Sequence, residues 1–136
     1  MPKPSWDEVW MELALKMSER SNDPRLKVGA VIVTQDNESV LSFGYNGDHK
    51  GGDNVPDSLE PGKSGFIHAE VNATTKLNYL DPRSKKIYLT HSPCVVCSRV
   101  LVNANIQEVI YKKEYRITTG LDILRSCDIL VRQMED

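Results

Sequence analysis

The 136-residue sequence predicts an α/β fold, a three-layer α/β/α sandwich built around a five-stranded mixed sheet. Apolar residues at helical spacing alternate with short β-branched runs in the order α-β-β-α-β-α-β-α-β. Strands that alternate with helices late in the chain imply parallel pairing through right-handed crossovers. The length fits one compact domain spanning 1–136, with 40% hydrophobic residues to form its core.

The first half of the chain predicts a helix, a hairpin and a long loop. Ser5 is a candidate N-cap with Glu8 three residues later, and apolar residues at helical spacing continue to about Arg20. The run "VGAVIVT" predicts a buried strand, and "SVLSFGY" predicts its antiparallel partner beyond the turn "QDNE". The segment 46–65 is rich in Gly, Pro, Asp and Asn, which predicts a surface loop of the length that functional loops often have.

The second half predicts three helices, each followed by a strand. The first helix is expected over His68–Leu80, before the strand "KKIYLTH". The second is expected to start with Pro93 at its first position, with Val96, Val100 and Leu101 facing inward. The strand "QEVIYKK", a helix capped by Thr118 or Thr119, and the strand "DILVRQ" complete the order.

Composition and charge exclude several function classes. The net charge is −2, from 17 basic and 19 acidic residues, so nothing favours a nucleic-acid partner, although Arg25 and Lys27 suffice for one phosphate. No apolar run approaches membrane-spanning length, so no membrane partner is expected, and the N-terminus lacks the pattern of a signal peptide. Three cysteines without a secretory segment predict a reducing, cytoplasmic location with free or metal-bound thiols.

Cys94 and Cys97 form the most informative spacing in the chain. Two cysteines three residues apart on the first turn of a helix point the same way, and the helix N-terminus favours thiolates. Such a pair alone is compatible with a redox centre, half of a zinc site or coincidence. Metal binding is favoured, because the pair comes late in the chain and lacks the neighbouring aromatic of a thioredoxin-like motif.

His68 supplies the third ligand that a zinc ion would need. The predicted sheet places the His68 helix and the Cys94 helix after adjacent strands, so that both N-termini open onto one edge. Two thiolates and one imidazole leave a fourth position for water, which is the pattern of catalytic rather than structural zinc. Glu70 would reach that water without binding the metal. Alone, a His-x-Glu pair at a helix start is more often a cap and a solvated acid, and His91 is a rival ligand. The third cysteine, Cys127, is most simply a small buried hydrophobe.

These motifs resemble a known enzyme family. "HAE" with "PCVVC" matches the His-x-Glu…Pro-Cys-x-x-Cys signature of zinc-dependent nucleoside and nucleotide deaminases. "VGAVIV", "GYNG", "HAEVNA" and "IYLTHSPCVVC" further resemble the deoxycytidylate (dCMP) deaminase branch, from about Ser21 to the C-terminus. The resemblance implies hydrolytic deamination of dCMP to dUMP and ammonia, which would supply dUMP for thymidylate synthesis. It implies a cytidine deaminase-like fold, one catalytic Zn²⁺ on His68, Cys94 and Cys97, and Glu70 as proton shuttle.

The resemblance also implies contacts to the substrate. Asn46 would bond the base and the sugar, or serve only as a turn residue, while the backbone of Ala69 and Ser92 would meet the base edge and the leaving amine. The remaining candidates are Ser21, Arg25 and Lys27 for the phosphate, and Tyr115 for the pocket wall. The two basic residues share one side of an extended segment, although both are equally compatible with solvated surface charges.

Some family properties depend on segments that vary. The insert before "HAE" is short and has no cysteine, so one zinc per chain is expected. Relatives often bind a dCTP or dTTP effector, commonly with Mg²⁺, near the loop that here contains Lys50, Gly51 and Gly52, and they usually form hexamers. Two alternatives remain. The chain is a deaminase of another substrate, such as tRNA adenosine or cytidine, or a non-catalytic nucleotide-binding regulator on the same fold. The acidic net charge disfavours RNA, and the intact Glu70 disfavours a regulator.

Overall fold

The computed structural model describes residues 2–135 as one five-stranded mixed sheet with four helices. The strands are β1 Gly29–Thr34, β2 Val40–Tyr45, β3 Lys85–His91, β4 Ile106–Lys113 and β5 Leu130–Gln133. The helices are α1 Trp6–Ser18, α2 Ala69–Thr74, α3 Val95–Asn103 and α4 Thr119–Ser126. The predicted fold class and the predicted order of elements are confirmed. Within 2–135, no helix combines the length and apolar character that crossing a bilayer requires.

The strands lie in the order β2-β1-β3-β4-β5. Strand β1 pairs antiparallel with both β2 and β3, whereas β3, β4 and β5 run parallel. The hairpin and the late parallel pairings were therefore predicted correctly. The expectation that adjacent strands lead to the two helices of the metal group was wrong, because β1 lies between β2 and β3. The helices meet instead on one face of the sheet.

Alternating strand residues build the two halves of the core. Ile32, Ile87 and Val109 point to the face that α2, α3 and α4 cover. Their neighbours Val31 and Tyr88 point to the opposite face, where α1 packs with Trp10, Met11 and Ala14. Period-two alternation on a sheet covered on both sides explains why these strands read as continuous apolar runs.

Helix α2 is shorter than the predicted span His68–Leu80. It ends at Thr74, whose carbonyl accepts hydrogen bonds from the Leu77 N–H at 3.1 Å and the Tyr79 hydroxyl at 2.9 Å. The hydroxyls of Thr74 and Thr75 donate back to carbonyls three residues earlier, at 3.1 and 3.2 Å. Such side-chain bonds compete with helix propagation, and the apolar spacing beyond Thr74 did not reveal them.

Helix α3 begins at Val95, two residues later than predicted. Cys94 is its N-cap, and the Cys94 Sγ accepts the backbone N–H of Cys97 at 3.4 Å, so Pro93 lies just before the cap rather than at the first helical position. The inward face contains Cys97, Ser98 and Leu101, which are at most 1% exposed. Val96 falls off this face and is 64% exposed, so its predicted inward position was wrong.

At the ends of α1 and α4, two predicted N-caps are confirmed and one expectation is corrected. The Ser5 Oγ accepts the Glu8 N–H at 3.1 Å, as the capping pattern predicted. Thr118 is the N-cap residue of α4, one of the two predicted positions. Cys127 follows α4 as its C-cap and is exposed, so the expectation of a buried residue was wrong. A C-cap on a surface helix leaves its side chain in solvent.

Candidate active site

Three potential metal ligands meet between the N-termini of α2 and α3. His68 Nδ1 lies 3.1 Å from Cys97 Sγ and 3.5 Å from Cys94 Sγ. All three ligand atoms lie within 4.8 Å of one another, so these residues form a potential metal-binding group within the described part of the chain. Tetrahedral zinc with ordinary bond lengths separates N and S ligand atoms by roughly 3.5–3.8 Å. The donor set and its spacing therefore fit a zinc ion.

The three candidate ligands shift one another's pKa values. Hydrogen bonds from Cys97 and His68 lower the pKa of the Cys94 thiol to about 4, against the effect of burial. The hydrogen bond to Cys94 also raises the pKa of His68, whereas burial opposes it. The Cys97 thiol has its pKa raised by the hydrogen bond with Cys94 and by burial. A cation between the sulfurs replaces the protons that these groups now share.

Close backbone contacts position His68 at the start of α2. Strand β2 approaches α2 through Gly44, where an added Cβ would lie 2.7 Å from both Ala69 O and Ala73 N. The Ser42 hydroxyl donates to Ala73 O at 2.6 Å, and the Asn72 amide donates to Tyr45 O at 2.8 Å.

The long loop before His68 is closed at its base. The backbones of Gly47 and Ile67 exchange two hydrogen bonds of 2.8 and 3.0 Å. This pair fixes the chain one residue before His68, although the loop between the two residues is exposed over most of its length. The imidazole therefore projects from a rigid point of the loop.

A second set of contacts fixes Cys94. The Ser98 hydroxyl donates to Cys94 O at 2.9 Å, and Gly120 of α4 packs against the carbonyl of Pro93, where a Cβ would come within 2.7 Å. The Ser92 N–H donates to Lys113 O at 2.9 Å, which joins the ends of β3 and β4. The two sulfurs are thus carried by rigid elements rather than by a loop.

Glu70 lies beside the metal group on the first turn of α2. Its side chain is only 4% exposed, and burial raises its pKa to about 7, although the neighbouring imidazole of His68 opposes this. A carboxyl group with this pKa can both hold and release a proton near neutral pH, which is what a general acid and base requires.

A cavity of about 630 Å³ opens at this group, the size of a small-molecule site. His68, Glu70 and Cys94 line one part of it. Of the residues predicted to contact substrate, the cavity is lined by Asn46, Ala69, Ser92, Arg25 and Tyr115. The structure therefore brings most of the predicted site together.

Two predicted phosphate contacts lie elsewhere. Ser21 is 3% exposed, and its hydroxyl donates to Asn46 O at 2.8 Å and accepts the Asp23 N–H, so it supports the cavity wall from behind. Lys27 is exposed and does not line the cavity, although Arg25 does. The segment is not extended here, because Asp23 Oδ1 accepts the N–H groups of Arg25 and Leu26 at 2.8 and 3.3 Å.

The candidate effector residues also lie outside the cavity. Lys50 and Gly51 are exposed and Gly52 is half-buried, on the turn that follows β2. His91, the rival ligand, lines the cavity but is not part of the metal group, and its Nδ1 lies 3.0 Å from Thr90 Oγ1.

Sequence reasoning missed several residues of the cavity wall. Lys113 lines it from the last position of β4 and Arg116 from the segment that follows, whereas Asp23 and Phe66 line it from the loops before β1 and α2. The signal for the first two was available, because "KKEYR" stands at the carboxyl end of a parallel strand, where ligand sites in such sheets form. Asp23 resembled an ordinary turn residue in its sequence context.

Comparison with known proteins agrees with this site. The family model for the cytidine and deoxycytidylate deaminase zinc-binding region matches residues 4–113. The deoxycytidylate deaminase of Mycobacterium phage D29 is 33% identical over 129 residues, covering 84% of this chain and 99% of that protein. The human deoxycytidylate deaminase is 32% identical over 117 residues, which cover 80% of this chain and 65% of the human protein.

A solved structure extends the similarity to nearly the whole chain. The dCMP deaminase of cyanophage S-TIM5, in complex with dCMP and dUMP, superposes with a TM-score of 0.84 at 37% identity. The match covers 98% of this chain and all of that one. Together with the family match, it shows that the chain belongs to the cytidine and deoxycytidylate deaminase family.

Proposed function

We propose that this protein is a zinc-dependent deoxycytidylate deaminase that converts dCMP and water to dUMP and ammonia. The observation that carries the proposal is the buried carboxyl group of Glu70 beside the His68, Cys94 and Cys97 group, at one end of a nucleotide-sized cavity. The names of the phage and human relatives, and the dCMP and dUMP in the cyanophage structure, support this substrate. The product would serve thymidylate synthesis.

His68, Cys94 and Cys97 would hold the zinc ion, and one ion per chain accounts for the donor group. When bound, zinc supplies Lewis-acid activation of a water molecule. Glu70 would take one proton from the attacking water and deliver it to N3 of the cytosine, and would then move the second proton of the same oxygen to the departing amine, so that it ends ionised as it began. The burial that raises the pKa of Glu70 favours a carboxyl group that can hold a proton between the two transfers. Burial also keeps bulk water from competing with Glu70 for these protons.

Backbone groups at the cavity would orient the base. Ala69 is the first helical residue of α2, so its N–H has no partner within the helix and can donate to a base oxygen. The carbonyl of Ser92 would accept from the exocyclic amine, which is supported by the position of Ser92 in the cavity wall, where its N–H is bound to Lys113 O. Backbone groups held this rigidly select the pyrimidine edge without an entropy cost.

Basic side chains support a nucleotide rather than a nucleoside. Arg25, Lys113 and Arg116 line the cavity together with Tyr115. The Arg116 guanidinium lies 5.3 Å from the centre of the Tyr115 ring, and its Nε donates to the Tyr115 hydroxyl at 3.3 Å. Arginine side chains bind phosphate oxygens in pairs, so these residues suit the 5′-phosphate.

The remaining proposals concern regulation, location and assembly. A dCTP or dTTP effector with Mg²⁺ would bind near Lys50 and Lys76. Burial lowers the pKa of Lys76, and the nearby charge of Lys50 lowers it further. The Lys76 ammonium lies 4.7 Å above the exposed ring of Phe43, so cationic and aromatic groups adjoin there. We also propose a single domain over 1–136, a cytoplasmic location and a homo-oligomer, a hexamer as in relatives.

Ammonia release from a panel of substrates tests the proposal. Purified zinc-loaded protein should deaminate dCMP with at least tenfold higher kcat/KM than CMP, deoxycytidine, cytidine or tRNA adenosine. A preference for deoxycytidine over dCMP would reject the nucleotide assignment. Zinc-loaded protein that releases no ammonia from any member of the panel would favour the non-catalytic regulator.

A further inference from the structure

We propose that Asp23 binds the sugar of the substrate by accepting a hydrogen bond from its 3′-hydroxyl through the carboxylate oxygen Oδ2. This inference rests on the proposed function, since it assumes a deoxycytidine nucleotide in the cavity. It assigns to a loop carboxylate the contact that the sequence had suggested for Asn46.

The amide of Asn46 is occupied by its own chain. Its Oδ1 accepts the Val28 N–H at 2.8 Å, and its two Nδ2 hydrogens serve Leu26 O at 2.8 Å and Asp23 Oδ2 at 3.3 Å. An amide nitrogen has two donors, so Asn46 has none left for a ligand. Asn46 therefore positions the loop from Asp23 to Val28, although it lines the cavity.

The carboxylate of Asp23 keeps one acceptor position. Two ionised oxygens offer about four lone-pair sites. Oδ1 accepts the N–H groups of Arg25 and Leu26, whereas the one bond that Oδ2 accepts within residues 2–135 is the long one from Asn46. Asp23 is 8% exposed and lines the cavity, so we assign the remaining acceptor capacity of its carboxylate to a ligand in that cavity.

The chemistry of dCMP identifies the donor. The nucleotide carries two hydrogen-bond donors at neutral pH, the exocyclic amine and the 3′-hydroxyl. The amine must reach the metal group and Glu70, which leaves the hydroxyl. Asp23 is also placed for the sugar, because it lines the same cavity as His68 at the reacting end and its carboxylate holds the backbone of Arg25.

The test compares dCMP with 2′,3′-dideoxycytidine 5′-monophosphate, which lacks only this hydroxyl. Wild-type protein should show a kcat/KM about 10- to 100-fold lower for the dideoxy nucleotide, the range for a hydrogen bond to a charged group. In D23N the side-chain oxygen still caps the loop, but an NH₂ group replaces Oδ2, which removes both the weak acceptor for Asn46 and the charged acceptor for the 3′-hydroxyl. The ratio of kcat/KM for dCMP to kcat/KM for the dideoxy nucleotide should then fall below about threefold, mainly because KM for dCMP rises.

The matched control is D36N. Asp36 also accepts a loop N–H, from Glu38 at 3.0 Å, but it lies on the β1–β2 turn and does not line the cavity. The ratio of kcat/KM for the two nucleotides in D36N should therefore equal that of wild type. Equal loss on both substrates in D23N, with the ratio intact, would reduce Asp23 to a structural role and overturn the proposal.

Wild-type protein alone also decides the question if D23N does not fold or loses zinc. Calorimetric binding of dUMP and of 2′,3′-dideoxyuridine 5′-monophosphate should differ by at least tenfold, and equal affinities would refute the contact. Failure of wild type to release ammonia from dCMP would instead reject the proposed function, which separates the two outcomes.

Discussion

Glu70 shows how one residue can be costly for stability and necessary for chemistry. A carboxyl group buried to 4% exposure is disfavoured in its charged form, which is why its pKa rises to about 7. Removing the charge should relieve that cost while removing the proton transfer. Activity and stability should therefore move in opposite directions at this position.

We predict that Glu70→Gln lowers kcat for dCMP by about 10²- to 10⁴-fold, the usual contribution of a general acid and base. The amide has the same shape and carries no charge to bury, so the midpoint of thermal unfolding should be equal to or above that of wild type. Ammonia release measures kcat, calorimetry measures the unfolding midpoint, and a zinc assay shows whether the metal is retained. Activity close to that of wild type, with zinc retained, would exclude Glu70 as the proton shuttle.

For Arg116, a role in binding the phosphate can be tested separately from the deamination step. Arg116→Ala should raise KM for dCMP by about 10- to 100-fold and leave kcat/KM for deoxycytidine within about twofold, because only the nucleotide has a phosphate to lose. Arg125→Ala is the control, since Arg125 is an exposed residue of α4 paired with Asp122 at 3.8 Å and does not line the cavity. Equal losses on both substrates would place Arg116 outside the phosphate contact.

At the scale of elements, glycine decides how close a helix can come to the sheet. Gly44→Ala would place a methyl group 2.7 Å from the backbone of α2, and overpacking of this kind costs about 1–3 kcal/mol. Because His68 caps α2, we expect weaker zinc retention as well as a lower free energy of unfolding. Urea unfolding and competition with a metal-binding dye measure both.

Gly47→Ala is the matched control within the same "GYNG" motif. The nearest atom to its added Cβ is a carbon of the Tyr45 ring at 3.8 Å, an ordinary van der Waals contact. Stability and zinc retention should stay within about 0.5 kcal/mol of wild type, the usual range for substitutions that touch no such feature. Equal effects of the two substitutions would mean that the approach of α2 does not set the site.

Local patterns predicted the elements well, and tertiary contacts account for the errors. Strand β3 has the predicted bounds, because an apolar run between turn residues needs no distant information. Helix α2 stops early because the Tyr79 hydroxyl reaches back to Thr74, a contact that residue spacing does not encode. Val96 is exposed because Cys97, turned towards His68, sets the inward face of α3.

The candidate site was predicted only where one segment carried its own signature. His68, Glu70 and the two cysteines stand in recognisable motifs, and the structure brings His68 and both sulfurs together. The rest of the cavity is assembled from the loop before β1, the loop before α2 and the segment after β4. Arg116 had a signal, because "KKEYR" stands at the carboxyl end of a parallel strand, whereas no sequence pattern linked Asp23 to the site.

For the whole molecule, the contact between Asp7 and Arg132 joins two ends of the described chain. Arg132 Nη1 lies 2.9 Å from Asp7 Oδ2, its Nε donates to Glu108 at 2.6 Å, and the Tyr88 hydroxyl donates to Asp7 at 2.5 Å. The hydrogen bond from Arg132 lowers the pKa of Asp7 below its usual 3.8, despite partial burial. Helix α1 is thereby anchored to β5 as well as to the core.

We predict that Asp7→Asn lowers the free energy of unfolding at pH 7 by about 1 kcal/mol, since the pair is only partly buried. The pKa of Asp7 is depressed in the fold, so its stabilisation is fully present above the unfolded pKa and is lost as pH falls through the lower folded value. The difference between wild type and Asp7→Asn should therefore be constant from pH 7 to about pH 5 and vanish towards pH 2. Asparagine still accepts from Tyr88, so no buried hydroxyl is left unpaired.

Urea unfolding across this range measures the difference. The exposed Asp122→Asn is the control, because the 3.8 Å pair of Asp122 with Arg125 should give a smaller effect. A difference that grows on acidification would contradict this account, because it would require Asp7 to hold its proton more tightly in the folded state than in the unfolded chain.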